Sequence, residues 1–435
     1  MRKAKASGEL STELHDQKKP LGNSDDGFSH IIISKNGTPE VNMKKVTEMM
    51  GGIESIIGPN DVVLLKPNAQ WWSQGMTNTD AMKAFIELIF DIPDFTGEII
   101  IADNHHYRDD NSRAWTTKQR NGRFNYNELI DYFNEKGHAN ITKYHWHDAG
   151  PNPHNRQGDA SGNRRTNGPK EGDGYVWCND LIYETPSGRK CMMTYPIFTS
   201  SYSGLTIDLK NGVWENGEYT GQPLKFINFS ALNHHGTYAG VTASVKNLMG
   251  VVDMTCGHHG TEPEGFYNMH YIGDEGVLNM YSEKAVYYFR KLGLKSVGKA
   301  VGSSLKRASH FNFFYTGGAL GFWMKNIRLP DLNFVTAEWV GWGGRTSQTQ
   351  RSHMKTILAS IDPVALDYCA AKYVLLPATL SERGGIELMQ LHNPDEEESV
   401  FRKFLVESHK QGIGTIHKNK MRVSIHDYLG NVGDA

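Results

Sequence analysis

The sequence is poor in cysteine: Cys178, Cys191, Cys256 and Cys369 are the four among 435 residues, and none forms a C-x-x-C pair. The absence of such pairs excludes a zinc ribbon, a thioredoxin motif and a sequence-local ferredoxin cluster. Four cysteines in a chain of this length do not make a disulfide scaffold either. No iron–sulfur cluster is therefore expected within the chain, and any metal hypothesis depends on histidine.

Long apolar runs are also absent. No segment reaches about 18 consecutive apolar residues, the length that spanning a bilayer requires, and a soluble protein without a transmembrane segment is expected. Residues 1–28 are polar, lack the apolar region of a signal peptide and predict a flexible tail. We expect a cytoplasmic location, with a periplasmic or exported one as the alternative if a signal peptide has been removed.

Net charge is nearly absent, since 46 basic and 48 acidic side chains leave −2. This balance argues against nucleic acid as a partner bound through bulk charge. The charge is uneven, however, because residues 284–328 contain nine basic side chains, no acidic one and several aromatics. This basic stretch indicates either an anion-binding or membrane-surface face, or a solvated helix face balanced by acids such as Asp395 to Glu398.

Strand-like and helical patterns alternate over the first third of the chain. Asp61 to Lys66 and Glu98 to Asp103 are continuous apolar runs, typical of strands covered on both faces. The alternation predicts an α/β fold with a largely parallel, doubly wound sheet and helices on both faces. We expect one domain over residues 29–435, with a long irregular insertion at 148–174.

Polar residues follow two of the predicted strands. Lys66-Pro67-Asn68 comes directly after a buried strand, where ligands bind in open α/β sheets. His235 follows the strand of residues 225–229. A Gly-rich segment, Gly240 to Gly250, comes next and contains Thr242, Lys246 and Asn247. The lysines could bind an anion or, in Lys246, supply a base with a depressed pKa, and the imidazole could transfer a proton. The alternative is a Gly-rich turn into a helix with structural polar groups.

Histidine pairs provide the residues for a metal hypothesis. His105 follows the strand ending at Asp103, and His258 lies shortly after Cys256. Imidazole and carboxylate are ligands for divalent transition metals, so His105, His258 and Asp103 form a candidate metal set that only the fold could assemble. The alternative is that these histidines are structural.

Five segments together resemble a known family, the "domain of unknown function 362" family. Three segments resemble the start of the family's sequence: Val62 to Asn68, Thr79-Asp80 and Ile99 to Asp103. The segment Phe226 to Gly250 resembles its central motif. The family usually has a K-T-H-like triplet there, which reads Asn233-His234-His235 in this chain. Its D-P-V-A-x-D signature resembles Asp362 to Asp367.

The resemblance implies an α/β domain of poorly defined activity. Some relatives have a fused ferredoxin segment, but this sequence has no clustered cysteines, so such a segment is not expected within it, and Asn233 replaces the lysine of the triplet. The strand–His–Gly–Lys order also resembles, distantly and at the level of fold, the nickel-dependent lactate racemase.

Three functions follow as hypotheses. In the first, an isomerase, lyase or hydrolase binds a small anionic molecule with Lys66, Asn68, Thr242, Asn247 and Asp362, and uses Lys246 and His235 for acid–base chemistry, with or without a metal. Asp362 could instead cap its helix. In the second, the protein is a redox-associated or metal-carrying accessory of an iron–sulfur partner. In the third, it docks on a partner or membrane surface without catalysis.

Overall fold

The structure is a computed structural model, and it describes residues 21–104, 114–146, 165–257, 263–273, 277–307, 313–381, 386–430 and 433–434. The predicted tail of residues 1–28 lies outside this part except for residues 21–28, and residues 148–164 of the predicted insertion lie outside it as well.

The strands alternate with helices in the first third of the chain and again near its end. In chain order they are β1 (Ser29–Lys35), β2 (Val62–Lys66), β3 (Glu98–Asp103), β4 (Ile141–His145), β5 (Gly174–Glu184), β6 (Lys190–Thr199), β7 (Thr206–Asp208), β8 (Gly212–Glu215), β9 (Glu218–Tyr219), β10 (Leu224–Gly236), β11 (Gly240–Thr242), β12 (Leu332–Gly341), β13 (Ser352–Ser360), β14 (Met421–Asp427) and β15 (Gly433–Asp434).

The helices are α1 (Pro39–Met49), α2 (Thr79–Phe90), α3 (Tyr126–Glu135), α4 (Ser244–Asn247), α5 (Val277–Lys291), α6 (Lys295–Arg307), α7 (Tyr315–Asn326), α8 (Pro363–Ala370), α9 (Leu376–Ser381), α10 (Ile386–His392) and α11 (Val400–Lys410). A π-helical turn, Ala371–Leu375, joins α8 to α9. Short 3₁₀ turns are Ile53–Ser55, Ser73–Gly75, Pro169–Glu171, Leu248–Gly250, Met269–Tyr271 and Lys418–Lys420.

The large sheet has the strand order β15-β14-β1-β13-β12-β10-β2-β3-β4, with β11 paired to β10. The pairs β12–β10–β2–β3–β4 are all parallel, and β1 is parallel to β14. Strand β13 is antiparallel to both of its neighbours, and it separates β1 from β12. The prediction of a largely parallel α/β sheet is confirmed.

Both faces of this sheet are covered, which explains the uninterrupted apolar strands. On the first face of the sheet, Val62 and Leu64 of β2 point into one hydrophobic core, which helices α7, α8 and α11 cover. On the second face, Val63 and Leu65 point into the other core, which helices α1, α2 and α3 cover. Because successive strand residues face opposite sides, a strand buried on both must be apolar at every position.

A second sheet was not predicted from the sequence. Strands β5 to β9 form an antiparallel sheet in sequential order, immediately after the irregular segment. Tyr175, Met193 and Phe198 of this sheet belong to the core on the first face of the large sheet. The irregular composition near residues 148–174 therefore precedes an ordered antiparallel unit that covers part of the large sheet.

Asp362 and Asp367 hold the start of α8 and its neighbour α4. The Asp362 carboxylate accepts hydrogen bonds from the backbone N–H groups of Val364 and Ala365, both at 2.9 Å, and from that of Thr415. Asp367 accepts from the N–H groups of Ser244 and Val245, and so caps α4 from across the fold. Of the two roles proposed for Asp362, the structure supports the helix cap.

We expect Asp362→Ala to lower the free energy of unfolding by about 3 kcal/mol, because it removes a helix cap and leaves buried N–H donors without acceptors. Urea unfolding measures the change, with Glu397→Ala at an exposed position as the control, expected within about 0.5 kcal/mol of wild type. An Asp362→Ala protein of unchanged stability would contradict the capping role.

Candidate active site

A cavity lies where the carboxyl ends of parallel strands β2, β3, β10 and β12 meet. Its volume is about 160 Å³. It is lined by Lys66, Asn68, Gln70, Trp71, Asp103, Asn104, His235, Tyr238, Thr242, Lys246, Asn247, Met249, Gly250, His270 and Arg345. Segments far apart in sequence meet here because parallel strands all end at the same edge of the sheet.

The floor of the cavity is a buried ion pair between the last residues of β2 and β3. Lys66 Nζ lies 3.2 Å from Asp103 Oδ1, and the two side chains are 1% and 2% exposed. Asp103 also accepts from the N–H groups of Ala69 and Asn104, each at 2.8 Å. Burial lowers the pKa of Lys66 and raises that of Asp103, and their mutual attraction opposes both shifts.

Asn247 ties this pair to strand β10. Its amide oxygen lies 3.3 Å from Lys66 Nζ, and its amide nitrogen donates to Asn228 Oδ1 at 2.8 Å and to the backbone oxygen atoms of Phe229 and Lys66. Asn247 lines the cavity, but its polar atoms are already occupied by protein partners. Its position therefore favours a scaffolding role over the substrate-binding role predicted from the sequence.

Gly250 allows the Gly-rich segment to close over the ion pair. A Cβ atom added at this position would clash with Asp103 Oδ1 and with both Nζ and Cε of Lys66. The glycine at this point of the motif is thus required by close approach of the backbone to charged side chains.

Lys246 is a buried cation that has no hydrogen-bond or ion-pair partner among the described residues. Its side chain is 6% exposed and faces the cavity, and it forms no hydrogen bond or ion pair with any residue of the described chain. Burial, with a further contribution from the nearby positive charge of Arg345, lowers the pKa of Lys246 to about 7. A large fraction of this amine is therefore neutral at neutral pH.

His235, Thr242 and Arg345 form a second polar group beside Lys246. His235 Nδ1 lies 2.5 Å from Thr242 Oγ1, and Arg345 Nη1 lies 3.3 Å from each ring nitrogen. Burial, followed by the charges of Arg345 and Lys246, holds the pKa of His235 well below its usual range. The imidazole is consequently neutral at physiological pH.

Aromatic rings enclose the polar groups. The Arg345 guanidinium carbon lies over the Trp71 ring, 4.4 Å from its centroid, so a cation–π contact helps to hold the guanidinium in place. Tyr238 stacks on Phe313 with ring centroids 4.2 Å apart, and the His270 ring is 5.1 Å from that of Tyr238. The cavity thus combines cationic and amide groups with an aromatic wall.

The structure brings most of the predicted site residues together and leaves others apart. The residues that line the cavity are Lys66, Asn68, Asp103, His235, Thr242, Lys246 and Asn247. Asp362 does not reach it, since it caps α8. His105 and His258 lie outside the described residues, so the metal set with Asp103 stays a prediction. Within the described chain, no three His, Cys, Asp or Glu side chains are grouped to hold a metal ion.

Asn68 differs from Asn247 in having its amide available. The Asn68 side chain is 7% exposed, lines the cavity and forms no hydrogen bond with another residue of the described chain. Its backbone is held by the N–H donation to Thr77 Oγ1 at 2.8 Å. The Asn68 amide is thus held in place by its backbone, and its side-chain oxygen and nitrogen are available to form hydrogen bonds with a ligand.

Trp71, Tyr238 and Arg345 were not predicted from the sequence. Arg345 ends a Gly-Trp-Gly-Gly-Arg segment directly after β12, and Trp71 follows Asn68 after β2. A Gly-rich segment after a strand was a usable signal for Arg345. However, the strand's place beside β10 could not be read from the sequence.

None of the four cysteines is among the described residues that line the cavity, and all four are buried and form no disulfide. Burial raises the pKa of Cys191 and of Cys369 to about 12. These two thiols therefore stay protonated at neutral pH and are poorly suited to bind metal as thiolates.

The comparisons with known proteins give one family. The model of the family described as "Domain of unknown function (DUF362)" matches residues 224–372, about a third of the chain. No curated protein and no solved structure matches, so the distant similarity to the lactate racemase is not confirmed. The matched segment contains His235, Lys246 and Arg345, while Lys66 and Asp103 precede it.

We expect the amine of Lys246 to titrate near pH 7, because burial disfavours its charged form. Trace acetylation between pH 5.5 and 10, with mass spectrometry of the Lys246 peptide, gives its titration curve. The exposed Lys44 supplies the reference curve in the same sample. Half-maximal labelling of Lys246 near pH 10 would show that its charged form is stabilised by a group that the structure does not include.

We expect Gly250→Ala to lower the free energy of unfolding by about 1–3 kcal/mol, because a methyl group there forces the Lys66–Asp103 pair to move. Chemical denaturation measures the change. Gly430→Ala is the matched control, since its added Cβ would make only an ordinary contact with Asp427 at 3.7 Å. Equal stability of the two variants would mean that the ion pair is not packed as described.

Proposed function

We propose that the protein is an enzyme that acts on a small anionic substrate by lysine and histidine acid–base chemistry in this cavity. The observation that supports the proposal is Lys246, a buried amine that has no partner in the described chain and faces a cavity also lined by Arg345 and His235. Burying a lysine without a partner costs free energy, and such groups occur preferentially at functional sites.

The charge balance of the cavity favours an anion. Among the described lining residues Asp103 is the carboxylate, and Lys66 neutralises this group at 3.2 Å. Arg345 and the protonated form of Lys246 add positively charged groups to the lining. The planar guanidinium, held against Trp71, suits a carboxylate or phosphate oxygen pair.

The substrate is small by volume. The cavity of about 160 Å³ is below the roughly 300–1,000 Å³ typical of sites for drug-sized ligands. The Asn68 amide would orient the substrate through a hydrogen bond, because its polar atoms have no partner in the described chain.

Proton transfer is the chemistry that these groups perform. The neutral amine of Lys246 would remove a proton from the substrate while Arg345 holds the anionic group. When the Thr242 hydroxyl donates to His235 Nδ1, the ring proton lies on Nε2, and this atom would donate to the substrate. Isomerisation and lyase reactions begin with such proton abstraction, so we favour them over hydrolysis.

We expect oxalate and sulfate to bind about tenfold more tightly at pH 6 than at pH 8. The protonated form of Lys246, with its pKa near 7, attracts the anion, and this form is lost as the pH rises through 7. Calorimetry measures the affinity, and repeating it in two buffers of different ionisation enthalpy counts the proton taken up at pH 8. Both anions keep constant charge over this range.

The variants separate the cavity from the rest of the surface. Lys246→Met should abolish the pH dependence and the proton uptake, whereas Arg345→Met should weaken binding at both pH values. Lys44→Met removes an exposed lysine and should change neither. Failure of both anions to bind the wild-type protein, or pH dependence that persists in Lys246→Met, would overturn the proposal.

A further inference from the structure

Helices α5 and α6 form a hairpin that stands apart from the rest of the described chain. They pack extensively on each other, and neither packs extensively on another helix or strand. Gly298 allows this close packing, since a Cβ there would lie 2.7 Å from Phe289 Cβ. Packing against the hydrophobic cores therefore does not account for this hairpin.

Apolar side chains are exposed at the end of the hairpin. Leu292 and Leu294, which flank the turn at Gly293, are 72% and 49% exposed. Tyr288 and Val297, on the adjoining turns of α5 and α6, are 59% and 45% exposed. Single exposed apolar residues are ordinary, but a group around one projecting turn marks an interaction surface.

The charge of the hairpin has one sign. Residues 277–307 contain seven basic side chains and one acidic side chain, Glu283, for a net charge of +6. Arg290, Lys291 and Lys295 flank the exposed leucines, and none of them forms an ion pair with a carboxylate of the described chain. The leucines are therefore surrounded by positive charge that no carboxylate of the described chain neutralises.

Two of the four acids from Asp395 to Glu398 are engaged elsewhere, and none of the four forms an ion pair with the hairpin in the described chain. Asp395 pairs with Lys372 at 3.2 Å and with Lys418 at 2.8 Å, and Glu398 pairs with Lys403 at 2.7 Å. The interpretation of the basic stretch as a helix face balanced by these acids therefore has no support from their contacts.

We propose that this hairpin docks the protein on the surface of an anionic lipid membrane, with Leu292 and Leu294 inserted between headgroups and the flanking bases on lipid phosphates. An apolar tip ringed by basic residues is complementary to such a surface, and apolar and charge attraction act together. A second copy would bring the same +6 charge and be repelled. No helix in the described chain is long and apolar enough to cross a membrane.

Vesicle co-sedimentation of the full chain tests the proposal. With vesicles of phosphatidylcholine containing 30% phosphatidylglycerol, we expect binding at least tenfold tighter than with phosphatidylcholine alone, and weaker as salt rises. The double variant Leu292→Ser, Leu294→Ser should lose about tenfold or more in affinity, as should Lys291→Glu, Lys295→Glu.

The controls use equally exposed residues elsewhere. Leu429, which is 82% exposed, is replaced by Ser, and Lys44 and Lys118 are replaced by Glu. These variants should bind as wild type does. All variants should unfold at the wild-type temperature, because the changed side chains are exposed, so a loss of binding is not a loss of fold.

Three results would overturn the proposal. They are absence of binding to the anionic vesicles, equal binding to neutral and anionic vesicles, and binding that the Leu292→Ser, Leu294→Ser variant does not weaken. A Leu292-dependent dimer or complex with an acidic protein in sedimentation, without vesicle binding, would identify the other occupant. Because anion binding in the cavity is measured without vesicles, failure here leaves the proposed function standing, and the reverse also holds.

Discussion

The Lys66–Asp103 ion pair is the interaction on which the arrangement of the cavity depends. It joins the ends of β2 and β3, binds Asn247 of α4, and lies directly beneath Gly250. Removing either partner would leave an uncompensated buried charge, a change that typically costs about 3–5 kcal/mol. The pair therefore fixes where the Gly-rich segment lies, and so where Lys246 lies.

The same pair decides which cation is available for chemistry. Lys66 is neutralised by Asp103 and also donates to the Pro67 carbonyl at 2.7 Å, so its ammonium group is committed to the protein. Lys246, on the other side of Asn247, has no such partners in the described chain. Two buried lysines from similar sequence settings thus differ in the described chain, because Lys66 faces a carboxylate there and Lys246 does not.

Much of the sheet could be predicted from the sequence, since strands buried on both faces must be apolar throughout. This rule identified β2 and β3, and the position of Lys66 and Asp103 at their ends follows from it. The strand order could not be read, because β13 inserts antiparallel between β1 and β12. For the same reason Arg345 was not predicted as a site residue. It follows β12, which is distant from β2 in sequence but is separated from it in the sheet by a single strand, β10.

Side-chain roles were harder to predict than positions. The sequence placed Asn68 and Asn247 alike near the cavity, but hydrogen bonds to Asn228, Phe229 and Lys66 occupy Asn247, whereas the Asn68 amide has no partner in the described chain. Asp362 had the residue type of a ligand and proved to cap a helix. The sequence shows which polar side chains are present, but only the fold shows which of them already have hydrogen-bond partners within the protein.

The overall charge of −2 conceals a strong asymmetry with a physical consequence. With +6 in residues 277–307, the remainder of the chain has a net charge of −8. Such a charge distribution would orient the protein with its hairpin towards an anionic surface and its body away from it. The cationic cavity lies within that negative body, but charges more than about 8 Å apart in solvent are largely screened at physiological salt. Attraction of a small anion by Lys246 and Arg345 is thus a local effect that the charge of the body does not cancel.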